Sequence, residues 1–498
     1  MSQPVALPEI PRHAWPALWS LVIGFFMILV DSTIVSIAIP SLITAFQTDV
    51  NTVLWVNSAY LLAYAVPLLI TGRLGDRLGM KRVYLTGLAI FTLSSLWCGL
   101  TDSVSALIAA RVVQGLGASL MTPQTMAVIT RIFPPERRGP AMALWGSVAG
   151  IATLVGPLLG GVLIDWRGWE WIFFVNVPIG LVAFFLVLKY VPMLETHVRS
   201  FDVVGVVLSA IGLFCFVFGL QEAETYKWGT IWGPISVPLL IGAGLLLLAV
   251  FVWWQSRVRT EPLVPLSLFR DRNFTVSNVA ITTVGFTMAA VIIPFMLFLQ
   301  VVRGMTPTQA ALVTAPQSIA GALLAPWAGK LVDQVHPRTL ASIGIAGMAA
   351  GLVVLSRLMT PSTPLWQILV ALAASGAFTS FVWGPLSTSA NRNLPPHLAG
   401  AGSGVYNTTR QIGSVIGSAA IAAVLANRFA AYLPTAASSR GSAGTWVVPA
   451  EIADRFAHAL SDATLVPAAA LGVGLIATLF YEAPKHLRKA PQTEPANH

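Results

Sequence analysis

Three charged side chains stand inside long apolar stretches of this 498-residue chain: Asp31, Arg111 and Arg410. Placing an ionisable group in hydrocarbon is costly, and such groups mark ion and substrate pathways. Asp31 is the only acid well inside an apolar run. The chemistry on offer is therefore reversible protonation, with a neighbouring cation released or engaged as the proton comes and goes. Arg111 is placed to be that cation. If Trp19 marks one membrane interface, Asp31 lies about 18 Å deeper at a rise of about 1.5 Å per residue. Arg111 enters its run from the opposite side, roughly 9 Å down, and in a core of about 30 Å the two reach similar depths. A static ion pair that neutralises both groups is the plain alternative. Arg410 sits near mid-membrane with no acid close by in the later spans. It either bonds to carbonyls and water or presents a charge to a cavity. One buried acid against two buried bases marks no dedicated dication site, and neutral, zwitterionic or singly charged amphipathic compounds fit better. Trp55, Asn57, Tyr60, Gln114, Gln300, Gln317, Trp383, Tyr406 and Asn407 are, with Arg410, the groups available to line such a cavity. Aromatic walls with sparse polar groups suit loosely specific binding, although any one of these residues is equally suited to packing.

The elements that must position these groups follow from composition. Of the residues, 56% are hydrophobic and 10% charged, against roughly 25% charged in soluble domains. The net charge of +9 would suggest nucleic-acid binding in a soluble protein, but the bases are too sparse to track a phosphate backbone. Cys98 and Cys215 lie in apolar runs and imply no disulfide framework. Fourteen apolar runs are long enough to cross a bilayer. The first, near 16–40, is too long for a signal-peptide core and reads as a retained span. With both termini placed inside, inner segments hold 20 of the 29 basic residues and outer segments hold 7, as the positive-inside rule requires. The longest polar stretch, about 428–462, lies outside. Its segment Pro449–Leu460 reads as a short amphipathic helix on the membrane surface, with a cap over the outer mouth as the alternative.

The chain also repeats itself. Gly72-Arg-Leu-Gly-Asp76 after the second run matches Gly329-Lys-Leu-Val-Asp333 after the tenth at Gly, Leu and Asp. Gly139 and Gly156 have the spacing of Gly400 and Gly417. The expected architecture is an all-α polytopic membrane protein of fourteen transmembrane helices. Residues 1–200 and 261–498 form two six-helix bundles, and 201–260 supply two inserted helices. Parallel repeats of this kind carry their substrate site at the interface.

These motifs resemble the major facilitator superfamily, and more closely its fourteen-span drug:proton antiporter branch. Asp31-Ser-Thr-Ile-Val-Ser-Ile-Ala-Ile-Pro40 matches the opening motif, with Ser36 where Asn is usual. The inner loop 72–82 matches the signature loop, with Met80 replacing a basic residue. Arg111-Val-Val-Gln114-Gly115 matches the arginine motif, and Gly150 to Gly161, with Gly156, Pro157 and Gly160, matches the motif of antiporters. Asn176-Val-Pro-Ile-Gly180, Pro265 to Arg270 and Asn407-Thr-Thr-Arg410-Gln411-Ile-Gly413 also look like this branch.

The resemblance implies proton coupling through Asp31 and Arg111. It implies a conformational latch at Gly72, Asp76, Arg77, Gly79 and Arg82 that holds an outward-open state. It further implies a proton gradient rather than a cofactor as energy source, and small amphipathic substrates moved outward across the plasma membrane. The partners it suggests are the lipid bilayer and, beyond a monomer, accessory export proteins. The glycines of 150–161 read independently as a close-packing face, and Pro157 as a bend. No GxxxxGK[ST] loop is present for ATP. An exporter dedicated to one metabolite, such as an amino acid, peptide or siderophore-like compound, is the nearest rival. A membrane enzyme or receptor would cluster His, Asp or Glu at one face, whereas His336 and His397 are isolated.

Overall fold

Long apolar runs in this chain become long helices, with polar residues at their starts. Asp49 accepts the Thr52 N–H at 3.0 Å, Ser103 that of Ala106 at 3.3 Å and Asp271 that of Phe274 at 2.8 Å, each satisfying an orphan donor of a first turn. The computed structural model describes residues 13–133, 138–194, 196, 202–223, 225–258, 262–331, 335–391, 394, 399–432 and 450–482. The first half comprises α1 (Ala14–Phe46), α2 (Val50–Ala65), α3 (Leu68–Leu78), α4 (Met80–Gly99), α5 (Val104–Ile132), α6 (Arg138–Arg167), the single turn α7 (Trp171–Phe174) and α8 (Asn176–Tyr190). Next come α9 (Val203–Gln221), a two-stranded hairpin of β1 (Thr230–Trp232) and β2 (Ile235–Ser236), and α10 (Val237–Arg257). The second half comprises α11 (Arg272–Leu297), α12 (Pro307–Leu331), α13 (Pro337–Leu358), α14 (Leu365–Asn391), α15 (Ala399–Tyr432) and α16 (Ala450–Thr478).

Among the described residues, ten helices are long and apolar enough to cross a membrane, fewer than the fourteen runs read from the sequence. One cause is visible. The second run breaks at Val66 and Pro67 into α2 and α3, and the 16 residues of α2 rise only about 24 Å. The stretch 72–82, expected as a loop, continues α3 as far as Leu78. Only Gly79 departs from helix, with φ +95°, a region open to glycine because it lacks a Cβ. The segment expected on the membrane surface is described from Ala450 onward as the first turns of α16. Its Phe456 and Leu460 are buried in the core, so their apolar faces meet protein instead of lipid headgroups.

The two halves pack by one scheme. In the first, Gly156 and Gly160 of α6 sit against Thr33 and Ile34 of α1. In the second, Gly413 and Gly417 of α15 sit against the carbonyls of Thr282 and Phe286 on α11. Small residues allow this close approach in the absence of a hydrophobic drive between spans. The inserted pair α9 and α10 meets through Gly212 and Gly244. Asp202 ties its base by accepting from Gly205 N at 2.8 Å, Trp254 Nε1 at 2.8 Å and Gln255 Nε2 at 2.5 Å. Partial burial alone would raise the Asp202 pKa, but these donors outweigh it and hold the carboxyl below its ordinary value.

Among the described residues, the core is continuous at one end and falls into two clusters at the other. At the end remote from Gly79, a single apolar cluster takes in Ile43, Val50 and Ile172 of the first half with Leu299, Ala310, Leu355 and Leu460 of the second. The joint is reinforced by polar contacts. Thr308 N at the start of α12 donates to Asp165 Oδ2 of α6 at 3.1 Å, and Gln300 Nε2 donates to the Ile37 carbonyl at 3.1 Å. Toward Gly79 the apolar residues fall into two clusters. One joins the first half to Leu213 and Val217 of α9 and to Val415 and Ala419 of α15, and the other is built within the second half.

Candidate functional site

Asp31 and Arg111 meet. Arg111 Nη1 lies 2.5 Å from Asp31 Oδ2, and neither side chain is exposed. Five helices position the pair. Gln114 follows Arg111 by three residues on α5, hence on the same face. It donates through Nε2 to Asp31 Oδ1 at 2.9 Å and accepts at Oε1 from Arg111 Nη1 at 2.6 Å. Asn176, the first residue of α8, donates from Nδ2 to Asp31 Oδ1 at 3.0 Å and to Ser95 Oγ of α4 at 3.0 Å. Ser95 Oγ in turn donates to the Phe173 carbonyl at 3.0 Å. From α2, the Val56 carbonyl accepts Arg111 Nε at 3.1 Å, and the Tyr60 ring lies under the guanidinium at 4.0 Å. Arg111 Nη2 has no hydrogen-bond partner among the described residues.

The carboxylate thus receives three donors, one of them cationic. Charge-assisted bonds of this kind are short and strong, and they offset the cost of burying both charges. A proton on Asp31 would remove the attraction that holds Arg111, which is the event a proton-driven conformational change requires.

Several residues expected at a cargo cavity are found elsewhere. Gln114 and Tyr60 belong to the ion-pair site, because helical spacing turns them toward Arg111. Trp55 donates through Nε1 to Glu222 Oε1 at 2.5 Å and packs on Phe218 at 5.6 Å. It docks the inserted α9 onto α2. Gln300 is spent on the joint to Ile37 described above. Asn57 is buried with its Oδ1 unpartnered. Gln317 on α12 is half-buried and Trp383 on α14 is just over one-third exposed. Ser95, Cys98 and Phe173 join the ion-pair site without having been singled out in the sequence. A Ser and Cys three residues apart in an apolar helix were the signal available, and it is a weak one. Asn176 was visible only as part of a motif.

Arg410 is half-buried where α15 crosses between the two cores. Tyr406 and Asn407 lie one turn before it on the same side. Tyr64 and Tyr60 of α2 are four residues apart with ring centroids at 6.0 Å, which extends the aromatic wall of the ion-pair site by one helical turn.

Of the signature stretch, Gly72 faces Pro123 of α5, and Arg77 and Arg82 are exposed. Lys81 Nζ donates to the Leu188 carbonyl at 2.8 Å. The Asp76 side chain lies outside the described residues, as does the environment of Gly150. Gly161 packs against the Pro307 carbonyl, across the joint between halves, and Pro157 is buried inside α6. No group of three or more His, Cys, Asp or Glu with metal-binding arrangement occurs among the described residues.

The sequence from 21 to 418 matches the model of the Major Facilitator Superfamily. An uncharacterized MFS-type transporter of Mycobacterium tuberculosis is 46% identical over 94% of this chain and 81% of its own length. The tetracenomycin C resistance and export protein of Streptomyces glaucescens is 34% identical over 84% of this chain and 77% of its own. The fold is similar to that of an autoinhibited POT family peptide transporter, with a TM-score of 0.66 at 16% identity, covering 96% of this chain and 99% of that one.

Proposed function

The chain belongs to the Major Facilitator Superfamily, a multi-pass membrane transporter and not an enzyme, and on that premise we propose that it is a proton-coupled exporter of amphipathic small molecules. Fourteen crossings with both termini in the cytoplasm remain the topology that accords with the distribution of basic residues. In that orientation the joined end is external, and the divided cores belong to an inward-facing state. The observation that carries proton coupling is the sealed Asp31–Arg111 pair, the only acid–base pair in the described residues with no exposed surface on either side. Protonation of Asp31 would free Arg111 and bias the equilibrium between states that differ in how they hold it. Binding of cargo to the inward-facing state and release outside would complete the exchange. The resemblance of the 150–161 motif to antiporters and the export role named for the Streptomyces relative both support the outward direction.

The test is purified protein in liposomes with an imposed pH gradient, screened for compounds that dissipate it. Uphill accumulation that stops when the gradient is collapsed is the expected result. Indifference to the gradient would sink the reading. A second reading, export of one compound only, is supported by the single compound in that relative's name. Activity confined to one chemical scaffold in the same screen would favour it.

A further inference from the structure

The inserted pair carries, where α9 leads into α10, a hairpin whose apolar side chains face away from the protein. Trp232 is 81% exposed and Trp228 54%, and Tyr226, Ile235 and Leu239 are exposed with them. Trp232 and Ile235 are cross-strand partners of β1 and β2, so an aromatic and an aliphatic group stand side by side. A large exposed apolar patch marks a partner surface or a membrane. The hairpin is also held in a set shape. Trp228 N donates to the Ala223 carbonyl at 2.7 Å, Gly229 N to that of Tyr226 at 2.8 Å and Val237 N to that of Gly229 at 3.0 Å. Ser236 Oγ accepts the Leu239 N–H at 3.4 Å and so caps the start of α10. Lys227 and Trp228 have φ of 49° and 58°, a left-handed conformation that residues with a Cβ seldom adopt. Two in succession persist only where the surrounding bonds over-determine them. The exposure of these side chains therefore belongs to a built turn.

What covers the patch follows from where it stands. From Ser236 onward α10 shows exposed Leu239, Leu246, Val252 and Trp253, the lipid-facing surface of a helix long and apolar enough to cross a membrane. The patch is continuous with that face. The 21 residues of α10 rise about 30 Å, the thickness of the hydrocarbon core. At the far end Arg257 lies over the exposed Trp253 ring at 5.5 Å, an aromatic and basic pair of the kind that sits at headgroup level. The hairpin thus falls at the opposite headgroup level. That level is the joined end of the molecule, because Glu222 at the hairpin's root accepts from Trp55 of α2, beside Leu54 of the continuous core. We propose that the hairpin is an interfacial anchor, and that its partner is the phospholipid surface of the leaflet at the joined end. Trp228, Trp232 and Ile235 seat among the upper acyl carbons, where rings with a polar edge are favoured. Tyr226 and the exposed ammonium of Lys227 meet the headgroup phosphates. Through Glu222 and Trp55 the anchor fixes the height of the inserted pair beside the first half. Neither proton coupling nor export is needed for it.

The test reads depth with a nitrobenzoxadiazole fluorophore on Ile235→Cys, in the full chain reconstituted into phosphatidylcholine–phosphatidylglycerol vesicles. The unsubstituted chain, labelled in the same way, supplies the background from Cys98 and Cys215. Phosphatidylcholine with a nitroxide near its carbonyl quenches the fluorophore at least about twofold more than one with the nitroxide near its methyl end, as for a group about 5–10 Å into the boundary layer. Iodide in the water quenches it little. Trp228→Ser with Trp232→Ser in the same chain raises iodide quenching at least about twofold and flattens the nitroxide contrast, because the apolar contact is lost. Trp228→Tyr with Trp232→Tyr keeps interfacial rings and retains the contrast, so a loss confined to the serine pair is one of lipid contact. Full iodide quenching without a nitroxide effect would leave the hairpin in water. Protection from iodide and both nitroxides would leave it under protein, and quenching mainly by the deep nitroxide would leave it in hydrocarbon. Each of these overturns the anchor, as does a profile that the serine pair does not change.

Discussion

In the first half of the molecule, Asp31 and Arg111 meet at 2.5 Å with no exposed surface. In the second, Arg410 stands half-buried with no carboxylate placed against it among the described residues. The helices around these charges pack alike, α6 on α1 and α15 on α11, through glycines of which Gly156 and Gly417 are at matching places. The two halves therefore share a way of packing and differ in their electrostatics. The contrast follows from what each site can afford in hydrocarbon. A charge that is paired with its opposite and held by several hydrogen bonds can be sealed, whereas an unpaired one is more costly away from solvent. We read the sealed pair as the proton site.

This comparison can be broken at several points. The largest effect is expected for Asp31→Asn, which keeps the shape of the site but removes its titration. Gradient-driven uphill transport in proteoliposomes should fall to that of empty vesicles while the protein remains folded and still binds cargo. Uphill transport by this variant would remove proton coupling from the first half. Next, Arg111→Ala strands an acid in a site built for an ion pair, a loss of about 3–5 kcal/mol. A lower melting temperature in detergent reports it, and adding Asp31→Asn to the same chain should recover part of the loss. If the double variant is no better than the single one, the charge itself is not what the site stabilises.

Smaller effects bear on the joint between halves. Gly161→Val sets a side chain against the Pro307 backbone, where even a Cβ would lie 2.7 Å from the carbonyl oxygen. Overpacking of about 1–3 kcal/mol should part α6 from α12, seen as faster thiol labelling of a cysteine introduced at Ala310. Asp165→Ala removes the acceptor for Thr308 N and should act the same way with about 1 kcal/mol. Unchanged labelling in both would show that this seam does not hold the closed end. Least of all, Arg410→Gln should alter melting by no more than about 0.5 kcal/mol. A large loss there would mean that the second half uses its arginine structurally, and the contrast between the halves would fail.

Much of this was readable from particular residues. Depth counted along two antiparallel runs brought Asp31 and Arg111 to one level, because helical rise in a span is nearly constant. Arg410 stood out by the cost of its charge alone. The reading was weaker for uncharged groups. Trp55 was assigned to a cavity and instead holds α9, because nothing local to α2 indicates where an inserted pair of helices will dock. Gln114 was read as a cavity residue and lies against Asp31 and Arg111. An amide in a span has many possible partners, and helix rotation selects among them. Ser95 and Cys98 were passed over because small polar side chains are common in spans and can satisfy themselves on their own helix, as Ser94 does on the Ile90 carbonyl at 2.7 Å. The start of α16 was misread because its charged residues suggested a surface, while the burial of Phe456 and Leu460 depends on helices distant in sequence.

The sequence by itself determined that the chain is a membrane transporter of repeated design with three charges inside its spans, since hydrocarbon penalises every exception to apolarity and so makes it visible. Only the tertiary structure decided which of those charges are paired, which amides and rings surround them, and which end of the molecule is joined. Those outcomes depend on helix rotation and on contacts between segments far apart in the chain, where several packings satisfy the same apolar pattern.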